Sequence, residues 1–407
     1  MTKRSLRWWA GGFVALFSAQ LVSSVGDRIS FVVLPFALLA LEFSIGEIAL
    51  VLGARAVGYA VVVLYGGVLS DRMNRKKLLI GSDLVRFAAQ SVTLLFVLIA
   101  LDIPALFCLA QVVFGAAEGV FRPAARSIMP EVVPEKSLER ANGYATTAFQ
   151  TGFLVGPLIA GASIALNMLE VGLAIDALSF LISAACLSRL PSVARTQASA
   201  RRSIHREMRD GWRVLRTQRW LLIVITASTL FHLTALSAVF VLGPVLADER
   251  LGGGAVWGIL VTFFGLGGLF GGVVATRIRT IRPVYWILGG LLVVACQPIF
   301  LASGLPIAAI ATLQFLAGVA LSIYSVVQDS AEQRLVPRAA LARVSSIDLF
   351  STTAAMPIGF FLSGQLAEVA GTSTSMWVMA AIAVAGCVVA AAVSVAYSKS
   401  SASTQDV

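Results

Sequence analysis

Apolar residues run through this chain in twelve stretches, each long enough to cross a membrane as a helix of about 20 residues. They lie at about 9–40, 47–70, 78–101, 104–129, 141–166, 171–190, 219–247, 255–276, 284–303, 306–331, 344–368 and 375–397. Polar and charged residues gather in the breaks between them. At about 1.5 Å per residue the first stretch is longer than a hydrocarbon core of about 30 Å, so it tilts, bends or protrudes, and Pro35 is the expected bend. A charged pair, Asp27-Arg28, interrupts it, and with its length this sets it apart from a cleaved signal peptide. Pro191–Gln218 is the only long polar segment. It divides the chain into an N-terminal bundle (1–190), a linker (191–218) whose stretch Arg206–Trp220 reads as a basic amphipathic surface helix, a C-terminal bundle (219–397) and a tail (398–407).

Composition agrees with the pattern. Hydrophobic residues make up 58% of the 407 and charged residues 13%, about half the share of a soluble domain. This excludes a disordered chain or a disulfide scaffold. Cys108, Cys186, Cys296 and Cys387 are scattered in apolar runs and read as small hydrophobes. With only His205 and His232, a histidine metal site lacks ligands, and no cofactor is implied. No nucleophile–base constellation points to an enzyme, and no phosphate-binding glycine–lysine loop points to ATP as the driving force.

The formal charge of +10 would suggest nucleic acid in a soluble protein, but here location decides. All Lys and Arg except Arg28, Arg55, Arg86 and Arg250 fall on one side if the N-terminus is cytoplasmic, the bias that orients membrane proteins. An even number of spans then places both termini inside, in the cytoplasmic (inner) membrane of the cell. Membrane topology and anionic lipid account for the arginines without nucleic acid.

The two halves resemble each other. Val133-Pro134, Leu138 and Arg140 recur 203 positions later as Val336-Pro337, Leu341 and Arg343. Gly66-Gly67-Val68 recurs 205 positions later as Gly271-Gly272-Val273, and Gly156-Pro157 has a weaker counterpart in Met356-Pro357. Duplicated bundles are a transporter architecture, with a cleft between halves that rock about a central site.

The segment from Gly67 through Asp71, Arg72, Asn74 and Arg75 to Lys77 joins spans 2 and 3. It resembles the signature loop of the major facilitator superfamily, with Asn74 in place of the usual glycine at a tight, left-handed turn. The resemblance implies a conformational latch: Asp71 at the positive end of span 11 and Arg75 paired with an acid at the inner end of span 4, for which Glu131 is the candidate. Gly152, Gly156, Pro157 and Gly161 in span 5 resemble the antiporter motif of the same superfamily, where close helix approach combines with a bend. Gly26-Asp27-Arg28, Phe121-Arg122-Pro123-Ala124 and Val133-Pro134 are similar to the branch of macrolide-efflux and enterobactin exporters. The resemblance covers essentially the whole chain. It implies an all-α membrane fold of two pseudo-symmetric six-helix bundles, a chain functional as a monomer, and export of a small molecule in exchange for protons. Gln111 stands where many relatives in that superfamily carry an arginine, which puts the usual proton relay in doubt.

Ionisable residues inside a bilayer are costly and mark function. Gln20, Ser23, Ser24, Asp27 and Ser30 form a polar stripe through span 1, expected to line the cleft. Asp27 is the first candidate for proton coupling; the alternative is a structural charge pair with Arg28, Arg55 or Arg86, where Arg55 or Arg86 is favoured because adjacent residues do not share a helix face. An offset of 205 carries Asp27 onto His232 in span 7, a second candidate that otherwise reads as an interior histidine bonded near Thr229 or Thr234. Glu118 and Arg122, four apart in span 4, form an inner gate or a plain pair, and Asp176 is a further acid. Asp83, Arg86 and Asp348 read as latch residues near inner helix ends. Arg55, Gln111, Gln150, Gln314, Tyr324 and Gln328, with Phe31 and Phe149, are candidates to line a substrate cavity. The resulting expectation is proton-driven export of a small amphipathic drug, antibiotic or natural product. A siderophore or biosynthetic-product exporter, and an importer or facilitator without proton coupling, remain as alternatives.

Overall fold

The computed structural model describes residues 12–191, 215, 218–278, 280, 282–336 and 338–403; within its helices the side chains of 64–72, 136, 139, 338–340, 342–343 and 397–403 are left aside. The described residues form twelve membrane-length helices and no strand. These are α1 Val14–Ala40, α2 Ile45–Arg72, α3 Arg75–Leu98, α4 Pro104–Val132, α5 Leu138–Ala165 and α6 Leu169–Ser188. They continue as α7 Arg219–Leu251, α8 Gly254–Ala275, α9 Pro283–Ala302, α10 Ile307–Leu335, α11 Arg338–Ala370 and α12 Thr372–Ser403. The chain is an all-α, multi-pass membrane protein. Most of the proposed surface helix, including Trp212, lies outside the described residues, as does Pro337 of the repeated Val-Pro pair.

Helix ends differ from the hydropathy boundaries where polar residues extend a helix past its apolar core. Helix α5 begins at Leu138, after a short 3-10 turn over Glu135–Ser137. Helix α12 runs on to Ser403, into the predicted tail. Two interruptions have local causes. Pro298 lacks an N–H and clashes with the turn before it, and α9 breaks at Cys296. Helix α7 widens into a π-helical turn at His232–Leu236. Of the cysteines, Cys387 is buried and the other three are half-buried.

The connections after α1, α3 and α5 share one construction. Each helix closes in a Schellman motif: Phe43 and Glu42 donate back to Leu38 and Leu39, Leu101 and Ala100 to Phe96 and Val97, Met168 and Asn167 to Ser163 and Ile164. The left-handed residue is Glu42 (φ 61°), Ala100 (φ 50°) and Asn167 (φ 53°), whereas after α7, α9 and α11 glycine takes the positive φ. Alanine has no local compensation there. Ala100→Gly is expected to stabilise the protein by up to about 1 kcal/mol, read as a higher thermal-unfolding midpoint of the purified protein, and Asn167→Gly by less. A reciprocal capping box, Ser44 with Glu47, starts α2 and was not read from the sequence.

The chain forms two compact units, residues 1–200 with 247–262, and 201–246 with 263–407. In the first, α1 packs on α5 and α6, α3 on α4 and α6, and α2 on α4. In the second, α7 packs on α11 and α12, and α9 on α10 and α12, while α8 lies against α10 through Gly267 and Gly318. The same pairing recurs at a shift of six helices.

The contacts fix the register of the repeat. A side chain on Gly58 or Gly115 would strike the carbonyls of Val112 and Arg55; on Gly267 or Gly318 it would strike those of Phe315 and Phe264. Helix α4 therefore maps onto α10 with an offset of 203, but α2 maps onto α8 with 209. The Gly66-Gly67-Val68 likeness at 205 is one helical turn out of structural register. In the same way Gly156, against the Val25 carbonyl, corresponds to Gly359, against the Leu233 carbonyl, rather than to Met356-Pro357. The α1-to-α7 offset is then 208, which carries Asp27 onto Ala235 and not onto His232.

Candidate functional site

The polar stripe of α1 is held at the centre of the first unit by small residues. Gly152 and Gly156 of α5 rest on the Ser24 and Val25 carbonyls, and Gly26 of α1 faces Ser179 and Asp176 of α6. Such contacts bring helix backbones together where side chains would hold them apart. Further along α5, Gly161 and the Pro157 carbonyl meet Ala255 and Gly258 of α8.

This close packing assembles an ion-pair network across α1–α4. Arg55 Nη2 lies 2.9 Å from Asp27 Oδ1 and 3.1 Å from Glu118 Oε2. Arg122 donates through Nε (3.0 Å) and Nη2 (2.8 Å) to the other oxygen of Glu118. Arg86 Nη1 approaches Asp27 Oδ2 at 3.7 Å and pairs with Asp83, whose second oxygen accepts from Ser183 at 2.6 Å. Aromatic faces supply the rest of the surroundings: Arg55 stacks 4.1 Å from the Phe114 centroid, and Arg86 lies between Phe121 (4.3 Å) and Phe180 (4.5 Å). Gln90, on the same face of α3, donates to Ser30 at 2.9 Å.

Asp27 therefore touches Arg55 and Arg86 rather than the adjacent Arg28. Asp83 and Arg86 are fully buried inside the bundle, not at an inner helix end, because each has an oppositely charged neighbour one turn away that offsets burial. Asp176 is also fully buried. Ser30 lies close to it, but neither carboxyl oxygen meets a donor at bonding geometry.

The remaining expected residues fall into other settings. His232 Nδ1 meets the Ser228 carbonyl at 2.8 Å, not Thr229 or Thr234, on the last α-turn before the π-helical segment. Gln111 (donating to Thr93, 3.2 Å) and Gln314 (accepting from Gln297, 2.6 Å) are sealed interhelix ties at equivalent places in the two units, so they do not line an open cavity. Tyr324 is buried against the Ser228 hydroxyl at 2.6 Å. Buried Gln328 donates to Glu332 and Asp348, which ties Asp348 to α10. Ser23 is buried, and Gln20, Ser24 and Gln150 are half-buried.

In the signature loop, Asn74 is not left-handed: with φ −68° and ψ 114° it caps α3, its side chain accepting from the Lys77 N–H. Arg75 pairs with Glu131 and also donates to the Ser127 carbonyl at 3.3 Å, tying the ends of α3 and α4. The side chains of Asp71 and Arg72, and the surroundings of Gly67, lie outside the described residues.

Comparison with known proteins places these features in a family. Over 382 residues the chain is 27% identical to macrolide efflux protein A of Streptococcus pyogenes, covering 90% of this chain and 91% of that one. It is 26% identical to the multidrug efflux pump Tap of Mycobacterium tuberculosis, with 90% of each covered. Among solved structures, the nucleoside transporter NupG superposes with a TM-score of 0.79 at 13% identity, over 94% of this chain and 99% of that one, which is a likeness of fold. The pattern of the Major Facilitator Superfamily matches residues 16–347, and the chain belongs to that family of transporters.

Proposed function

We propose that this protein exports a small amphipathic molecule across the cell membrane by proton antiport through alternating access. The efflux proteins it resembles support the direction, and the concentration of basic residues in one set of loops supports termini on the cytoplasmic side. One observation carries the coupling step: Asp27 on α1 is shared by Arg55 on α2 and Arg86 on α3. A proton on Asp27 cancels its charge. Arg55 is then left to Glu118 and Arg86 to Asp83, and α1 loses its ionic ties to α2 and α3, keeping the uncharged Gln90–Ser30 hydrogen bond to α3. Proton uptake thereby becomes freedom for α1 to move, a local charge change acting on an element with two positions. Glu118, clamped by Arg55 and Arg122, keeps α2 and α4 together in both states. Asp176, behind Asp27 on α6, is the second proton-accepting group, and the Arg75–Glu131 pair, with Asp71 and Arg72, acts as the conformational latch.

The test uses sealed everted vesicles, an imposed proton gradient and a fluorescent amphipathic dye. Asp27→Asn is expected to lower gradient-driven dye uptake at least tenfold while dye-for-dye exchange persists, because the variant is fixed in the uncharged state. Full gradient-driven uptake by Asp27→Asn would remove Asp27 from the mechanism.

A further inference from the structure

Arg28, Arg55, Arg86 and Arg122 and the acids Asp27, Asp83, Glu118 and Asp176 lie well inside the helices of the first unit, and they do not pair off evenly. Arg55, Arg86 and Arg122 divide Asp27, Asp83 and Glu118 among them. Among the described residues, Asp176 has no cation within ion-pair distance, and Arg28 has no acid within it. Asp27 and Glu118 are close enough for Arg28 to feel their charge, but each already serves two other arginines.

Arg28 has aromatic neighbours instead. Its guanidinium carbon stands 3.7 Å from the centroid of Phe153, 5.2 Å from Phe149 and 5.9 Å from Phe31. The sequence explains the placement. Phe149, Phe153 and Gly156 share a face of α5, and Gly156 lets that face press on the Arg28 stem. Arg122 approaches Phe149 as well, at 5.8 Å, so two cations converge on one ring.

A guanidinium lying on a ring keeps its in-plane fork of N–H donors free. That fork matches a planar or tetrahedral oxyanion and binds it through parallel charge-assisted hydrogen bonds. Arg28 is part-buried. A cation held at membrane depth with no partner is expensive unless something supplies the missing negative charge.

We propose that Arg28, with Phe31, Phe149 and Phe153, is a binding site for an amphipathic anion. The ligand's carboxylate, sulfonate or phosphate group sits on the guanidinium edge and its apolar body lies along the rings. This names the substrate class of the exporter, and it rests on the export reading only in treating the ligand as cargo.

The experiment uses the full chain in lipid nanodiscs and two probes that share a ring system and differ by one sulfonate: anilinonaphthalene sulfonate and its uncharged parent phenylnaphthylamine. Equilibrium dialysis, with empty nanodiscs subtracted, is expected to show the sulfonate bound about tenfold more tightly. Arg28→Gln is expected to remove that ratio, and Arg28→Lys, which keeps the charge without the fork, to retain part of it. Equal binding of the two probes by the unaltered protein overturns the site, as does an unchanged ratio in Arg28→Gln; the first comparison needs no variant to fold. Gradient-driven uptake of both probes into everted vesicles separates this from the export reading. Movement of the dyes without anion preference removes the site and leaves export. Anion-selective binding with no movement of either dye keeps the site and removes export.

Discussion

Arg55→Met is expected to cost more stability than any other single substitution in the ion-pair network and to abolish gradient-driven transport. Arg55 serves two carboxylates at once, Asp27 at 2.9 Å and Glu118 at 3.1 Å, and the side chains of all three are no more than 22% exposed. Removing one member of a buried pair costs about 3–5 kcal/mol, because the charge left behind has lost both water and partner. Here two charges are left, although Arg86 and Arg122 still compensate part of each. A loss of about 3 kcal/mol is expected, read as a large fall in the thermal-unfolding midpoint of the purified protein. The cause is separable from lost stacking of the guanidinium on Phe114. Adding Asp27→Asn to Arg55→Met removes the excess negative charge and leaves Arg86 with Asp83 and Arg122 with Glu118, so most of the stability should return while transport stays absent. If the double variant is as unstable as the single one, packing rather than charge holds these helices together.

How far the sequence disclosed this arrangement depends on the scale of the feature. The twelve spans were legible because a span must satisfy its backbone within lipid, and only long apolar runs do so. Boundaries moved by a few residues where polar turns continue a helix, as at Leu138 and Ser403. The pairing of Asp27 with Arg55 was among the readings open at the outset, since the two are costly in isolation. Other features were hidden. Gln111 and Gln314 looked like polar points of a cavity, but a glutamine can equally satisfy another polar side chain across a helix interface, and spacing along one helix does not distinguish the two. Arg86 and Asp83 looked peripheral because span limits alone do not say how deep a residue sits.

The register of the repeat misled for a different reason. Helix α8 carries glycines one turn apart at Gly267 and Gly271, so a slip of one turn still sets glycine on glycine, with Gly66-Gly67 falling on Gly271-Gly272. Only the carbonyl each glycine meets tells the alignments apart: Val112 for Gly58, Phe315 for Gly267. His232 falls opposite Asp27 only at the offset of 205, which comes from that slipped glycine alignment; the contact of Gly359 with the Leu233 carbonyl sets 208 instead. Arg28 is not legible as a site in the sequence, because spacing along one helix does not say whether a cation meets a counter-ion on another.

That register leads to a matched pair of substitutions. In Gly115→Ala the new methyl strikes the Arg55 carbonyl, and in Gly318→Ala it strikes the Phe264 carbonyl at the corresponding crossing of the other unit. Neither obstacle is the mobile end of a side chain, so the helices must separate, at a cost of about 1–3 kcal/mol in each case. Gly272→Ala is the control: it adds the same methyl to a helix where nothing lies within 4 Å, and helix propensity favours it by about 1 kcal/mol. The two damaging substitutions should lower the thermal-unfolding midpoint alike but differ in transport. Pushing α2 from α4 at Gly115 moves Arg55 from Glu118, so the proton-coupled fraction of dye uptake should fall further than folded protein is lost. At Gly318 no charged pair spans the facing residues, and uptake per folded molecule should be kept. Equal losses per folded molecule in both variants would mean that close helix packing, not the charge network it positions, limits transport.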